Sequence, residues 1–229
     1  MRPDIPSSLA ARLVRAASRF QWHGTRLVVP FVAAFLTMAP TTTETIQPLA
    51  AIGRLDFAGY EDRFHCTAAL IGADRAVTAA HCMDPPATVA NAYFKPGFAI
   101  SEGIETLGLR YWRAANGASD VAVLCLSPVA GTPPLPRAIR GVHEGEGLNV
   151  VGYAIPAERG QRHDSCTVDA VNGDGSFVLN CPLRPGQSGA PVLRHTRNGR
   201  EIVGIVSATS NSQALAWDVS DTVTLPACD

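Results

Sequence analysis

The chain has 229 residues, of which 46% are hydrophobic and 17% charged, as in globular proteins rather than disordered or fibrous ones. Nineteen basic residues against 20 acidic ones give a formal net charge of -1, so no basic excess indicates nucleic-acid binding. No apolar run reaches the roughly 20 residues that a membrane-spanning helix needs, and one all-β domain can use nearly the whole length.

The N-terminal part differs from the rest of the chain in charge and hydropathy. Residues 1–26 carry five arginines against one acid, whereas residues 40–229 hold 14 basic and 19 acidic residues. The apolar stretch 27–36 follows the basic part, a layout typical of a secretory signal. An amphipathic surface helix, an organellar transit segment and an uncleaved anchor are the alternatives. We predict a secreted or periplasmic protein, without a membrane span after signal removal, with these parts: a signal or targeting segment at 1–39, a linker at 40–49 and one domain at 50–229.

After residue 40 the sequence is punctuated like an all-β protein. Gly, Pro, Asn and Asp clusters separate short runs rich in Val, Ile, Leu and Thr, at residues 64–71, 75–79, 121–126, 148–153, 176–181, 191–194 and 201–207. Asn198-Gly199, between the last two runs, predicts a two-residue hairpin turn. No long segment has helical periodicity, so the pattern favours an antiparallel sandwich or barrel.

Six cysteines follow the predicted signal: Cys66, Cys82, Cys125, Cys166, Cys181 and Cys228. An even number in an exported chain predicts three disulfides. No pair has CxxC spacing and no His lies at metal-ligand spacing with two of them, so we expect neither a metal site nor a cofactor.

One pairing follows from strand register. Residues 165–171 and 176–181 read as a hairpin joined by the turn residues 172–175. If residue 171 faces residue 176, Cys166 lies opposite Cys181 at a separation that a disulfide can span.

Three segments carry residues suited to nucleophilic catalysis. His81 ends an apolar strand, Asp120 stands at the entrance to another, and Ser188 lies in a Gly-Gln-Ser-Gly turn before a third. Alone, each has an ordinary structural explanation: a core histidine, a capping acid and a plain turn. Together, in the order His, Asp, Ser, they are typical of a base-activated hydroxyl nucleophile. The other acids considered lie in turns or outside this order: Asp74, Asp84, Asp164, Asp169 and Asp174.

These segments resemble the chymotrypsin/trypsin-like serine protease family over about residues 50–225. Residues 78–82 (Thr-Ala-Ala-His-Cys) match the family's histidine motif, and residues 186–191 (Gly-Gln-Ser-Gly-Ala-Pro) are similar to its Gly-Asp-Ser-Gly-Gly-Pro motif. Residues 119–124 and 205–207 resemble the strands of the family's acid and of its specificity pocket. The segment between Asp120 and Ser188 is short, which resembles compact bacterial secreted members of the family. The resemblance implies an all-β fold of two antiparallel six-stranded β-barrels, with the active site in the cleft between them.

The resemblance also implies a role for each site residue. Ser188 would be the nucleophile, His81 the general base and acid, and Asp120 the group that orients the imidazole. The backbone N–H groups of Gly186 and Ser188 would form the oxyanion hole. By the same analogy, the Ser207 hydroxyl would support Asp120.

The disulfide beside the histidine is implied in the same way. Cys66–Cys82 resembles the family's bridge at that place, and Cys125–Cys228 is then left by elimination. Gln187 stands where the family has the Asp that pairs with a freed Ile-Val-Gly-Gly amino terminus. We therefore expect that activation step to be absent here.

By family position, Pro182, Leu183, Ser207 and Thr209 would line the substrate pocket. None carries the buried carboxylate that a desolvated Arg or Lys requires, so the pocket is expected to be neutral. Thr209 would narrow it, which favours Ala, Val or similar residues before the scissile bond. Arg184 is the alternative: if it reaches the pocket, acidic residues would be preferred.

The resulting prediction is a secreted serine endopeptidase that acts on protein or peptide substrates through an acyl-enzyme intermediate. The alternative is a catalytically inactive homologue that serves as a binding module. An α/β-hydrolase esterase would need a Gly-x-Ser-x-Gly motif and the order Ser, acid, His, which this chain lacks.

Overall fold

A computed structural model describes residues 49–59, 64–84, 88–98, 105–115, 119–156 and 160–228. The predicted targeting segment and the linker up to residue 48 lie outside these residues. The described part contains 12 β-strands and a short 3₁₀ helix at Ala80–Met83. None of its helices is long and apolar enough to cross a membrane.

The first six strands close into an antiparallel barrel, in the order β1-β2-β3-β6-β5-β4. Closure gives each of these six strands a neighbour on both sides. Buried apolar side chains fill its interior, among them Leu55, Leu70, Phe94, Leu107 and Leu124. The strands are β1 Ile52–Phe57, β2 His65–Gly72, β3 Arg75–Thr78, β4 Ala92–Pro96, β5 Leu107–Ala114 and β6 Ala122–Ser127.

The last six strands form a second closed antiparallel barrel, in the order β10-β11-β12-β9-β8-β7. Its core contains Val150, Val168, Phe177, Val192 and Val203. The two six-stranded barrels confirm the predicted fold class. The strands are β7 Gly147–Gly152, β8 Arg162–Val171, β9 Ser176–Leu179, β10 Pro191–Thr196, β11 Gly199–Thr209 and β12 Ala214–Asp218.

A third apolar cluster joins the two barrels. Ile52 and Val77 from the first barrel pack with Tyr153, Leu193 and Ile205 from the second. These side chains are at most 2% exposed, so the seam between the barrels is as fully buried from solvent as either core. The barrels therefore meet along a surface able to hold groups from both in fixed positions.

The β8–β9 hairpin corrects the predicted register near its turn. Val171 pairs with Phe177 rather than with residue 176, one position from the prediction. A bulge between Val168 and Ala170 absorbs the difference, and Val168 then pairs with Leu179. This is the register that brings Cys166 to Cys181. The β10–β11 turn is likewise shifted by one residue, with residues 197–198 forming the loop.

Three disulfides join the cysteine pairs expected from the sequence: Cys66–Cys82, Cys125–Cys228 and Cys166–Cys181. The first connects β2 to the 3₁₀ helix that carries His81. The second ties the C-terminal tail, which follows the second barrel, to β6 of the first barrel. The third spans the β8–β9 hairpin.

Candidate active site

His81 and Asp120 lie at the same end of two neighbouring strands of the first barrel. Thr78 at the end of β3 pairs with Ala122 at the start of β6, so the segments beyond them adjoin. The Asp120 carboxylate accepts hydrogen bonds from the His81 backbone N–H, at 2.8 Å, and from ring Nδ1, at 2.6 Å. One carboxylate therefore fixes both the position and the orientation of the imidazole.

This contact also determines the tautomer of His81. An ionised carboxylate only accepts hydrogen bonds, so the proton is on Nδ1 and Nε2 carries the lone pair. The hydrogen bond to Asp120 raises the pKa of His81 above 6.5, against the opposing effect of burial. Burial would raise the pKa of Asp120, but hydrogen bonds from His81 and Ser207 outweigh it and leave this pKa below 3.8. At neutral pH Asp120 is a fixed negative charge behind the imidazole.

Ser207 supports this carboxylate from the other barrel. Its hydroxyl, near the end of β11, donates to Asp120 Oδ2 at 2.6 Å. Asp120 Oδ2 therefore receives one bond from the imidazole of the first barrel and one from a hydroxyl of the second.

Ser188 is held against the first barrel by its backbone. Its carbonyl oxygen accepts the Thr67 N–H at 2.8 Å, and Thr67 follows Cys66, whose disulfide partner Cys82 adjoins His81. Ser188 and His81 are thus connected by one hydrogen bond and one disulfide across the seam. Within the part of the chain that the structure describes, Ser188 Oγ makes no hydrogen bond to His81 Nε2. Such bonds are often long in unliganded enzymes and shorten when the substrate binds.

The next residue, Gly189, explains how closely this turn approaches β2 and β3. Its φ is +79°, and a Cβ there would lie 2.1 Å from Thr78 Oγ1 and 2.2 Å from the Thr67 carbonyl oxygen. Glycine is required on both counts, because any side chain would push the turn away from the first barrel.

The peptide groups before Ser188 have fixed orientations. The Pro185 carbonyl accepts the Ile155 N–H at 2.7 Å, and the Gln187 carbonyl accepts the Ala190 N–H at 2.9 Å. In a trans peptide the N–H points opposite to the carbonyl, so the N–H groups of Gly186 and Ser188 face away from these partners. Across the described residues, neither N–H donates to any protein group, which leaves both available to a ligand.

Thr67 holds the peptide after Gly186. Its hydroxyl donates to the Gly186 carbonyl at 2.9 Å and accepts the Tyr153 N–H at 3.0 Å. Gly186 has φ +89°, and a Cβ there would lie 2.6 Å from the Tyr153 carbonyl oxygen and 2.8 Å from His65 Nε2. The tight turn and its hydroxyl clamp together keep Gly186 in one conformation.

The residues predicted to line the pocket do not all converge on one cavity. Leu183 is buried in the core of the second barrel, Pro182 is exposed, and the Ser207 hydroxyl is bound to Asp120. The Thr209 hydroxyl donates to the Leu183 carbonyl at 3.0 Å, which joins β11 to the segment before Ser188. A depression of about 250 Å³ lies beside Thr209, between β11 and β12, and is not lined by Pro182 or Leu183.

Cys66, His81 and Cys82 place potential metal-ligating atoms within 4.8 Å of one another. The two sulfurs are bonded to each other, so neither is the thiolate that binds a metal. The cluster therefore offers one imidazole and does not fit a metal site.

Sequence reasoning did not identify Thr67 and Asp164 as neighbours of the site. Asp164 accepts the side-chain N–H of Gln187 at 2.9 Å, although the residues are 23 positions apart. Thr67 is 119 positions from Gly186. No local motif marks either residue, because both contacts depend on how the strands come together.

Comparison with known families gives a match. The model of the trypsin-like peptidase domain family matches residues 66–205, more than half of the chain. This range includes His81, Asp120 and Ser188. A search of curated proteins finds no significant match.

Proposed function

Because this chain belongs to the family of trypsin-like peptidase domains, we propose that it is a secreted serine endopeptidase using His81, Asp120 and Ser188. The observation that carries the proposal is the 2.6 Å contact between His81 Nδ1 and Asp120 Oδ2. This contact leaves Nε2 as the basic atom, which general-base catalysis requires. The three disulfides support export, since such bonds persist in oxidising compartments.

In the acylation step, His81 Nε2 removes the proton of Ser188 Oγ while Oγ forms a bond to the carbonyl carbon of the substrate. The electron pair of the C=O bond moves to oxygen, which accepts hydrogen bonds from the Gly186 and Ser188 N–H groups. Loss of one such donor costs roughly 10²–10³ in kcat. The imidazolium then returns its proton to the leaving amine as the C–N bond breaks, leaving Ser188 acylated.

Deacylation repeats this chemistry with water. His81 Nε2 takes a proton from the water as its oxygen bonds to the acyl carbon, and the same two N–H groups bind the second oxyanion. When the ester bond breaks, Ser188 Oγ recovers its proton from the imidazolium. Throughout, Asp120 stabilises the positive charge on the ring, and Ser207 helps to keep that carboxylate ionised.

For substrate preference, we propose a neutral and fairly small pocket formed near Pro182, Leu183, Ser207 and Thr209. The hydrogen bond from the Thr209 hydroxyl to the Leu183 carbonyl supports the small size, since it holds β11 close to the segment that contains Pro182 and Leu183. Profiling with a peptide library should give cleavage after Ala, Val or similar residues. Dominant cleavage after Arg or Lys would refute the neutral pocket, and cleavage after Glu or Asp would favour a role for Arg184.

The function itself is tested with a fluorophosphonate, which phosphonylates an activated serine. Labelling of one site in the folded protein, mapped to Ser188, together with hydrolysis of an unfolded protein such as reduced casein, is the expected result. Both should disappear in Ser188→Ala, with His81→Ala as an independent control that leaves the hydroxyl in place. Absence of labelling in the folded wild-type protein would instead support the inactive binding module.

A further inference from the structure

Gln187 is a fully buried polar residue between the two N–H groups proposed to bind the oxyanion. Burial of an amide side chain is unfavourable unless both of its ends form hydrogen bonds. Here Oε1 accepts the Arg184 N–H and Nε2 donates to Asp164 Oδ2, both at 2.9 Å. Because one partner only donates and the other only accepts, the orientation of the amide is determined.

Asp164 is in turn held by a cation on the same strand. Arg162 lies two positions earlier on β8, and its Nε and one terminal nitrogen bind the two carboxylate oxygens at 2.9 and 2.6 Å. The Asp164 side chain is 10% exposed and that of Arg162 is 26% exposed. A bidentate Arg–carboxylate pair in this setting fixes the carboxylate in place.

The turn itself closes through the same residue. The Gln187 backbone N–H donates to the Arg184 carbonyl at 3.1 Å, while its side chain accepts the Arg184 N–H. Gln187 therefore binds both backbone groups of Arg184 and reaches across to β8. The Pro185–Gly186 peptide, which bears the Gly186 N–H, lies inside the turn that these two bonds close. The Gln187–Ser188 peptide, which bears the Ser188 N–H, directly follows Gln187, so a tilt of this residue disturbs both N–H groups.

We propose that Arg162 and Asp164 are positioning residues that act through Gln187 to keep the two oxyanion-binding N–H groups aimed at the substrate. This inference rests on the proposed function. In the relay Arg162–Asp164–Gln187, the charges of Arg162 and Asp164 pair with each other. The group that the relay presents to the turn is the neutral amide of Gln187. Arg162 and Asp164 act without touching the substrate.

The relay requires a neutral hydrogen-bond donor at position 187, because the Asp164 carboxylate is its partner. In Gln187→Glu an ionised carboxylate would face Asp164 in a buried place, and the like charges would force the turn apart. In Gln187→Glu/Asp164→Asn the charge is exchanged: the amide introduced on β8 can donate to the new carboxylate, and Arg162 remains close by. The double variant should therefore recover what the single variant loses.

The test compares kcat and KM of the wild-type protein, Gln187→Glu, Asp164→Asn and the double variant near neutral pH. The matched control is Asp169→Asn, on the same strand, where an exposed carboxylate accepts the side chain of Gln213 at 2.8 Å. Inhibition by a peptide trifluoromethyl ketone is measured in parallel, since its adduct is an oxyanion. Circular dichroism checks that each variant is folded.

We expect kcat of Gln187→Glu to fall roughly 10²-fold, as for loss of an oxyanion donor, with KM changed less than about threefold. Inhibitor affinity should fall in parallel with kcat/KM, and the double variant should recover at least about tenfold in kcat. Equal kcat in wild type and Gln187→Glu, or a loss that the double variant does not relieve, would overturn the positioning role alone. A wild-type protein that fails to label at Ser188 would overturn the proposed function and this inference with it.

Discussion

The Thr67 hydroxyl offers the sharpest test of how the site is held. Thr67→Val keeps the size of a fully buried side chain but removes the group that binds both the Gly186 carbonyl and the Tyr153 N–H. The described residues offer neither group a second partner. Each buried group left unsatisfied costs about 1–3 kcal/mol, and the added apolar methyl offsets part of the total, so the net loss is about 3 kcal/mol.

With an m value of about 2 kcal/mol/M, this loss lowers the urea midpoint by about 1.5 M. Thr67→Ser is the matched control, since it keeps the hydroxyl and gives up one methyl group, worth about 1 kcal/mol. We also expect kcat of Thr67→Val to fall about tenfold with little change in KM. The reason is that the Thr67 hydroxyl no longer holds the Gly186–Gln187 peptide, which lies between the two N–H groups proposed to bind the oxyanion.

Urea unfolding followed by tryptophan fluorescence gives the free energies, and a chromogenic peptide assay gives kcat. A Thr67→Val variant within about 0.5 kcal/mol of Thr67→Ser, and with the same kcat, would refute the reasoning. A loss of stability without a loss of kcat would mean that Gly186 is held well enough by its own turn.

Four other predictions follow from the titrating and hydrogen-bonded groups. Asp120→Asn removes the main cause of the raised His81 pKa, so NMR titration of the ring should show a lower pKa, and kcat should fall roughly 10⁴-fold. An unchanged His81 pKa would contradict the role given to Asp120. In wild type kcat/KM should rise with pH through a pKa above 6.5, because only the neutral ring accepts a proton. Ser207→Ala removes one bond to Asp120 and should lower kcat about tenfold, with the Asp120 pKa moving up; Ser207→Thr, which keeps a hydroxyl, should lose less. Burial lowers the pKa of His65 in the fold, so below pH 6.5 the unfolded chain takes up a proton that the folded one does not, and stability falls by at most about 1.4 kcal/mol per pH unit. Unfolding of His65→Gln between pH 7 and 5 should lack that slope, and an identical slope would show that His65 titrates normally.

The barrels were predictable where the interior of a strand carries no charged residue, as in β2, β3 and β6. The sequence analysis did not single out β1, β4, β5 or β12. In β1 the reason is visible: Arg54 and Asp56 alternate with apolar residues, yet both are buried. Asp56 pairs with Arg54 on its own strand and with Lys95 on β4, at 3.3 Å for the lysine. A charge that is buried because a neighbouring strand neutralises it cannot be distinguished locally from a surface charge.

The residues of the candidate site also differ in whether the local sequence marks them. His81, Asp120 and Ser188 were found because each lies in a short motif beside a strand end. The residues that hold the turn before Ser188 were not found, since Thr67 and Asp164 act over long distances in sequence. The sequence analysis groups Asp164 with acids that lie in turns or outside the required order, but the structure places it within β8. The sequence analysis considers only triad acids and not a carboxylate that positions an amide. The predicted register differs from the observed one at the two hairpins because of a bulge and a turn offset, which depend on how the strands pair rather than on the local sequence.

The Cys125–Cys228 disulfide has a consequence for the lifetime of a peptidase surrounded by copies of itself. It closes a covalent ring over a separation of 103 residues, and the whole second barrel with Ser188 and Ser207 lies inside that ring. A single cut anywhere between positions 125 and 228 opens the ring but releases no fragment, because each new end remains attached to β6. After self-cleavage of one exposed loop the two parts of the chain would therefore remain covalently joined, and two cuts or reduction would be needed to separate them.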